Sequence, residues 1–397
     1  MRYLVLTLLC LCAVVAYVQR SAISIPAAAI ERDLGLSGAQ MGLVMGAWYW
    51  AYALLQLPAG WFADRWGPRP TLAALCVLWS AVTGLVGLAG GFWGLLGLWS
   101  LMGAAQAGIF PCATKSIGQW FPGAGRASAS GVLIFSQAVG FAVAPVVTAA
   151  LLTVLSWPQA FALYALPGLL WAAAYGLLAV DPPGRDPAPA APTDWTRLAT
   201  SYPMILLCSQ QFLRAAAMVF FFTWFPKFLQ QTGGLSQEEA GRLTAWPGVG
   251  AMLGGLLGGL ASDWVLRRTG NKRLSRQGVA VAGMVCCTGL TLGAYFVADV
   301  RQVVLLFALG AFAGTFGGVS GYSVAIDFGG RRVATVFGTM NMCGNIGAGL
   351  FPPLVGWAVD RTGSWDVAIL GFAGLFAADA VLWALLNPKR PLFEDDE

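Results

Sequence analysis

The sequence predicts an all-α integral membrane protein: twelve transmembrane helices in two pseudo-symmetric six-helix bundles, with both termini cytoplasmic. Three observations carry that prediction. Of 397 residues, 58% are hydrophobic and only 10% are charged, against about 25% charged in an ordinary soluble domain. Twelve apolar stretches are each long enough to cross a bilayer, which takes roughly 20 residues. A charged loop motif recurs half a chain later.

Cutting at charged, Pro-rich and Gly-rich breaks places the spans at 3–30, 40–62, 71–90, 92–114, 129–151 and 158–180, then at 203–230, 241–262, 278–298, 302–325, 334–357 and 367–387. The first span is bounded by Arg2 and by Glu31 and Asp33, so its apolar run continues past Arg20. A secretory signal ending near Ser21–Ala22 is the alternative for this segment. The uninterrupted apolar run and the need for an even count favour a span. After the sixth stretch comes DPPGRDPAPAAPTDWTR (181–197), whose prolines and charges read as a water-exposed linker. The predicted organisation is an N-terminal bundle over 1–180, a cytoplasmic linker over 181–199 and a C-terminal bundle over 200–397.

Lys and Arg set the orientation. With the N-terminus inside, inner loops and tails collect sixteen of them, including Arg2, Arg65, Lys115, Arg126, Arg185, Arg267, Arg276, Lys389 and Arg390; outer loops hold five, and Arg20 and Arg214 lie within spans. The positive charge is thus scattered over short loops, with no continuous basic face for nucleic acid. All eight cysteines fall in apolar runs without metal spacing, and the chain has no histidine. No metal site, no cofactor and no enzymatic set of nucleophile and base is expected.

The second span ends in GWFADRWGPRP (60–70) and the eighth in GLASDWVLRRTGNKR (259–273), each a Gly, an Asp four residues on, then basic residues. Such duplication is what transporters built from paired repeats show. Gly60, Asp64, Arg65, Asp263 and Arg267 are therefore expected to stabilise one conformation at the inner helix ends. Two ordinary positive-inside loops that share an Asp are the plainer alternative.

An Arg at a helix centre costs about 2.5–3.5 kcal/mol on insertion scales, so such residues usually face a partner or a watery cavity. Arg20 is one and Arg214, in CSQQFLRAAAMVFFFTWFP (208–226), is the other. Either can also be read as an interfacial Arg that snorkels to a surface. One cation per half is readily explained if an anion comes between them. Tyr17 shares a face with Arg20, Tyr52 lies in the second span, Gln137 in the fifth, and Asn341 and Asn345 share one face of the eleventh. These offer hydrogen bonds to a hydroxylated anion, or equally to neighbouring helices. Asp327 sits at the inner end of span ten, within reach of Arg331 or Arg332; Asp379 is the carboxylate well inside a span.

Taken together, these residues resemble the Major Facilitator Superfamily, and specifically its anion:cation symporter branch, over nearly the whole chain. GWFADRWGPR matches the loop signature of the superfamily. YVQR matches the branch's first-helix Arg at Arg20, and Arg214 ahead of FTWFPKFL matches its seventh-helix Arg before a W-x-P-x-x-L element. The resemblance to the galactonate transporters implies that Tyr17, Tyr52, Gln137 and Asn341 bind a sugar acid. Two departures stand out. The Asp that precedes the first Arg in proton symporters is Gln19 here, and the fourth-helix Arg and Glu correspond to Trp99 and Gln106, although Phe110 and Pro111 are in place. Gln cannot titrate, and losing Arg with Glu avoids an unpaired buried charge. Trp99 alters the size or apolarity of the cavity.

The expectation is a monomeric carrier in the lipid bilayer of a bacterial inner membrane, moving a small organic anion by alternating access without the usual carboxylate-based proton coupling. Gln19, Trp99 and Gln106 are expected to line the cavity. An organophosphate/phosphate exchanger, or a membrane sensor that has lost transport, are the alternatives.

Overall fold

The computed structural model describes residues 1–180, 182, 193–388 and 392. Among them the chain is all-helical. Before the linker run α1 (Arg2–Ser21), α2 (Ala27–Leu34), α3 (Gly38–Trp66), α4 (Pro68–Val86), α5 (Phe92–Gln106), α6 (Ile109–Trp120), α7 (Gly123–Leu151) and α8 (Trp157–Leu178). After it come α9 (Trp195–Thr200), α10 (Tyr202–Met218), α11 (Phe220–Thr223), α12 (Phe225–Gly233), α13 (Gln237–Thr269), a π-helical segment (Arg273–Gly278) and α14 (Val279–Tyr295). The last elements are α15 (Val300–Gly318), α16 (Ser320–Gly329), a 3-10 turn (Gly330–Arg332), α17 (Val333–Thr362) and α18 (Asp366–Leu385). Nine helical stretches among the described residues are long and apolar enough to cross a membrane; one, Val300–Thr362, has 63 residues. That is about three times the length a single crossing needs, and the 3-10 turn interrupts it.

Local chemistry sets the helix ends. Ser37 Oγ accepts from Gln40 N while Gln40 Oε1 accepts from Ser37 N, a capping box that starts α3. Pro68 opens α4 with its fixed φ and no wasted N–H. The predicted first span is too long. Helix α1 stops at Ser21, and Pro26 is the N-cap of the short α2. Arg20 therefore lies in the last turn of α1 and not at mid-span. The predicted spans at 92–114, 203–230 and 302–325 are likewise broken, at Ala107–Gly108, at Val219 and Trp224, and at Val319. Of the linker, 181 and 183–192, with Arg185, lie outside the described residues, as do Lys389, Arg390 and most of the tail; from Trp195 the predicted linker is helical, capped by Asp194.

By packing, the chain forms two compact units. The first comprises Met1–Trp120, Ser136–Thr193 and Arg331–Met342; the second comprises Phe121–Phe135, Asp194–Gly330 and Cys343–Glu397. These boundaries differ from a single division at the linker, because the start of α7 packs with the second unit and the start of α17 with the first.

The same packing scheme appears inside each unit. In the first, α3 lies on α5, α4 on both α5 and α8, and α1 on α8; in the second, α13 lies on α15, α14 on both α15 and α18, and α10 on α18. The two motif aspartates repeat as closely. Asp64 accepts from Ala334 N at 3.2 Å and Thr335 N at 2.7 Å, in the first turn of α17. Asp263 accepts from Ala127 N at 3.4 Å and Ser128 N at 2.7 Å, in the first turn of α7 beyond a kink at Ala124. Each carboxylate thus satisfies N–H groups that a helix start leaves free, and meets the positive end of its dipole. The motif glycine makes room: a Cβ on Gly60 would lie 2.4 Å from Ala334 O, and one on Gly259 would lie 2.3 Å from Ala127 O.

The basic partners differ from those expected. Lys115 Nζ, not Arg65, pairs with Asp64 at 2.7 Å, and Arg276 Nη1, not Arg267, pairs with Asp263 at 3.0 Å. Arg65 is exposed, with its guanidinium over the Trp61 ring; Arg267 is exposed and donates to Ala124 O. Asp327 pairs with Arg126 at 2.6 Å. For both motif aspartates the pairing cation comes from another element, while Arg65 and Arg267 lie exposed.

Candidate anion site

The first unit builds its site around Arg20. The last turn of α1 carries the guanidinium to α3, where Trp48, Tyr49 and Tyr52 project at i, i+1 and i+4. The guanidinium carbon lies 3.9 Å from the ring centre of Trp48, 4.6 Å from Tyr49, 5.1 Å from Tyr17 and 5.7 Å from Tyr52. Trp48 and Tyr52 stack on each other with ring centres 4.7 Å apart and planes 15° apart. Tyr17 is held from two sides: Phe110 of α6 meets its ring edge-on, and Gln137 Nε2 of α7 donates to its hydroxyl.

This arrangement has a definite electrostatic meaning. Each ring face attracts the cation, by about 0.5–1 kcal/mol when exposed and about 2 when desolvated. The rings thereby offset part of the cost of taking Arg20 out of water, yet they carry no countercharge. Among the described residues no carboxylate comes within 4.0 Å of Arg20. The cage holds a full positive charge that is not neutralised.

Of the residues the sequence singled out, Tyr17, Tyr52 and Gln137 gather with Arg20. Trp48 and Tyr49 were missed; the spacing of GAWYWAY (46–52), which puts an aromatic one turn before Tyr52, could have revealed them. Arg214 belongs to the second unit, where Nη2 donates to Gln211 Oε1 at 2.6 Å. Asn341 and Asn345, one turn apart on α17, are both half-buried; Asn341 packs with the first unit and Asn345 with the second.

Three expected cavity positions do not line a cavity. Gln19 is 1% exposed; its Nε2 donates to Tyr164 O at 2.6 Å and its Oε1 accepts from Trp79 Nε1 at 2.8 Å. It ties α1 to α8 and α4, and it needs an amide, because an ionised carboxylate could not donate to Tyr164. Gln106, equally buried, donates to Ala16 O at 3.3 Å. Trp99 is buried edge-on against Phe161. A cavity of about 790 Å³ in the second unit, lined by Lys227, Gln231, Tyr295, Asp360 and Asp366 among others, contains none of the predicted site residues.

Comparison with known proteins bears on the family and the fold. Residues 9–298 match the Major Facilitator Superfamily model. The chain is 29% identical to a probable sulfoacetate transporter of Cupriavidus necator, covering 100% of this chain and 96% of that one. It is 32% identical to a hexuronate transporter of Bacillus subtilis, covering 95% and 93%. Its fold superposes on the crystal structure of the superfamily transporter FucP in the outward conformation with a TM-score of 0.78 at 17% identity, over 96% of this chain and 98% of that one. With a transporter family matched across most of its length and an all-helical fold to go with it, the chain is a multi-pass membrane transporter, not an enzyme, and belongs to the Major Facilitator Superfamily.

Proposed function

We propose that the protein carries a small organic anion, a carboxylate or sulfonate, across a bacterial inner membrane by alternating access. In this reading the chain crosses the bilayer twelve times, as two six-helix bundles joined at 181–199 with both ends cytoplasmic, and works as a monomer. Arg20 is the electrostatic anchor of the cargo. Tyr17, Tyr52 and Gln137 orient it, with Arg214, Asn341 and Asn345 as further polar contacts. The observation that carries the reading is the uncompensated guanidinium of Arg20 in its aromatic cage, since an anionic cargo supplies the missing charge. The two relatives named above, for sulfoacetate and hexuronate, transport acids and support the same class. Asp64 and Asp263, by capping α17 and α7, stabilise one of the two conformations, and cargo shifts the balance between them.

Gln19 and Gln106 take up no proton, because both amides are committed to backbone carbonyls. Coupling through carboxylates at those two positions is therefore absent.

A thermal-shift screen of the purified protein against sulfoacetate, D-glucuronate, D-galactonate and inorganic phosphate tests the proposal. A ligand specific for the native fold raises apparent stability by mass action, by about 2.7 kcal/mol at a hundredfold excess over Kd. A stabilising organic acid, with the effect lost in Arg20→Gln, is the expected result. Stabilisation that survives Arg20→Gln, or that only phosphate produces, overturns it.

A further inference from the structure

The second unit holds a carboxylate to which the transport reading gives no task. Asp379, midway along α18, is 0% exposed, and neither carboxylate oxygen has a hydrogen-bond partner. Trp383 Nε1, one turn further on, is also buried and unpartnered, as is Thr291 Oγ1 of α14. α10, α14 and the π-helical segment pack along α18, and Phe220 of α11 and Phe351 of α17 meet its Phe372. From α10 comes Arg214, close enough to Asp379 to interact electrostatically but not within ion-pair contact. From α14 comes the thiol of Cys287. The π-helical segment brings Arg273, held by Gln277, and Arg276, held by Ser262 and Asp263.

Arg214 is only partly committed, to Gln211 and the nearby Tyr322. Its bond to Gln211 uses one N–H, and its Nε is buried without a partner. Gly318 leaves it the space it occupies, since a Cβ there would lie 3.0 Å from Arg214 Cδ, Nε and Nη1. A buried carboxylate has two ways to avoid the cost of an isolated charge: pairing with a cation, or binding a proton. Here both routes are open to one side chain.

We propose that Asp379 is the proton-carrying group of this transporter, trading its proton against ion pairing with Arg214. The inference rests on the anion-carrier reading and adds a coupling site to it. A proton from water on one side forms an O–H bond with an Asp379 carboxylate oxygen. The acid is neutral, and the charge of Arg214 is then available to the anionic cargo. On the other side the O–H bond breaks, the proton returns to water, and the carboxylate takes back Arg214 as the cargo leaves. One guanidinium cannot fully compensate two anions in a low-dielectric interior. Proton and cargo therefore favour each other's binding, and the effect is reciprocal. The amides at 19 and 106 then leave the chain with a coupling site in its other unit.

The test uses full-length protein in liposomes with a trapped pH-sensitive dye, and sulfoacetate and D-glucuronate as probes. The expected result is that anion entry carries protons in the wild type, that Asp379→Asn abolishes the proton movement that accompanies the anion, and that Asp379→Glu, which keeps the carboxyl, restores it. An unchanged proton-to-anion ratio in Asp379→Asn overturns the proposal. If neither probe enters through the wild type, it is the anion-carrier reading for these acids that fails. Infrared spectroscopy of the purified protein then decides about Asp379 by itself. A protonated-carboxyl band that disappears in Asp379→Asn supports a proton on this residue; no such band at any pH across the neutral range overturns it.

Discussion

Arg20 and Arg214 occupy corresponding helices of the two units, α1 and α10, and are satisfied in opposite ways. Arg20 is wrapped by four aromatic rings and, among the described residues, meets no carboxylate. Arg214 donates to Gln211 and, among the described residues, faces a buried carboxylate that it does not touch. Rings stabilise a cation without cancelling its charge, so Arg20 is a permanent anchor. A nearby carboxylate cancels the charge or releases it, according to whether it carries a proton, so Arg214 is adjustable. Arg276 gives the contrast: Nη1 binds Ser262 Oγ at 2.7 Å and Asp263 Oδ1 at 3.0 Å, and Nη2 donates to Gly123 O. Both terminal nitrogens of that guanidinium are committed to structure, and only its Nε is left without a partner.

The largest expected effect separates structural from functional arginine. Arg276→Gln leaves Asp263 buried without its cation, and should cost about 3–5 kcal/mol of stability, visible as a large fall in melting temperature without ligand. Arg20→Gln should leave the apo melting temperature nearly unchanged and weaken cargo binding by about 1.5–3 kcal/mol, the worth of a hydrogen bond to a charged group. If the two variants behave alike, Arg20 is structural and the comparison fails. Gly318→Ala sets a methyl 3.0 Å from three atoms of Arg214. It should cost about 1–3 kcal/mol as overpacking and weaken binding in parallel; full binding in a folded Gly318→Ala protein would show that the position of Arg214 is immaterial. The smallest effect belongs to Trp48→Leu. Removing the ring at 3.9 Å forfeits a cation–π contact of about 0.5–2 kcal/mol, read as a modest rise in Kd with the preference among acids retained.

Much of this was legible in the chain, and the failures share a cause. That Arg20, Tyr17, Tyr52 and Gln137 belong together was legible because a charge, a hydroxyl or an amide within an apolar run stands out against its neighbours. Trp48 and Tyr49 were not, because in a membrane sequence an aromatic is unremarkable until a cation is seen beside it. The paired motif pointed to Asp64 and Asp263 through Gly-to-Asp spacing. It could not reveal Lys115 or Arg276 as the partners, since those approach from other helices. Gln19 and Gln106 were correctly read as unable to titrate and wrongly placed in the cavity: amide chemistry is local, whereas the direction of a side chain depends on what packs against it.

The sequence by itself determined the membrane class, the duplicated motif and the types of group available for chemistry, because hydropathy and side-chain chemistry are properties of each residue. Tertiary structure alone decided that, among the described residues, Arg20 meets rings and no carboxylate, Asp64 and Asp263 cap the helices beginning at Val333 and Gly123, and Asp379 lies unpartnered near Arg214. Those facts depend on contacts between residues up to hundreds of positions apart, and a charge in low dielectric is governed by its neighbours in space.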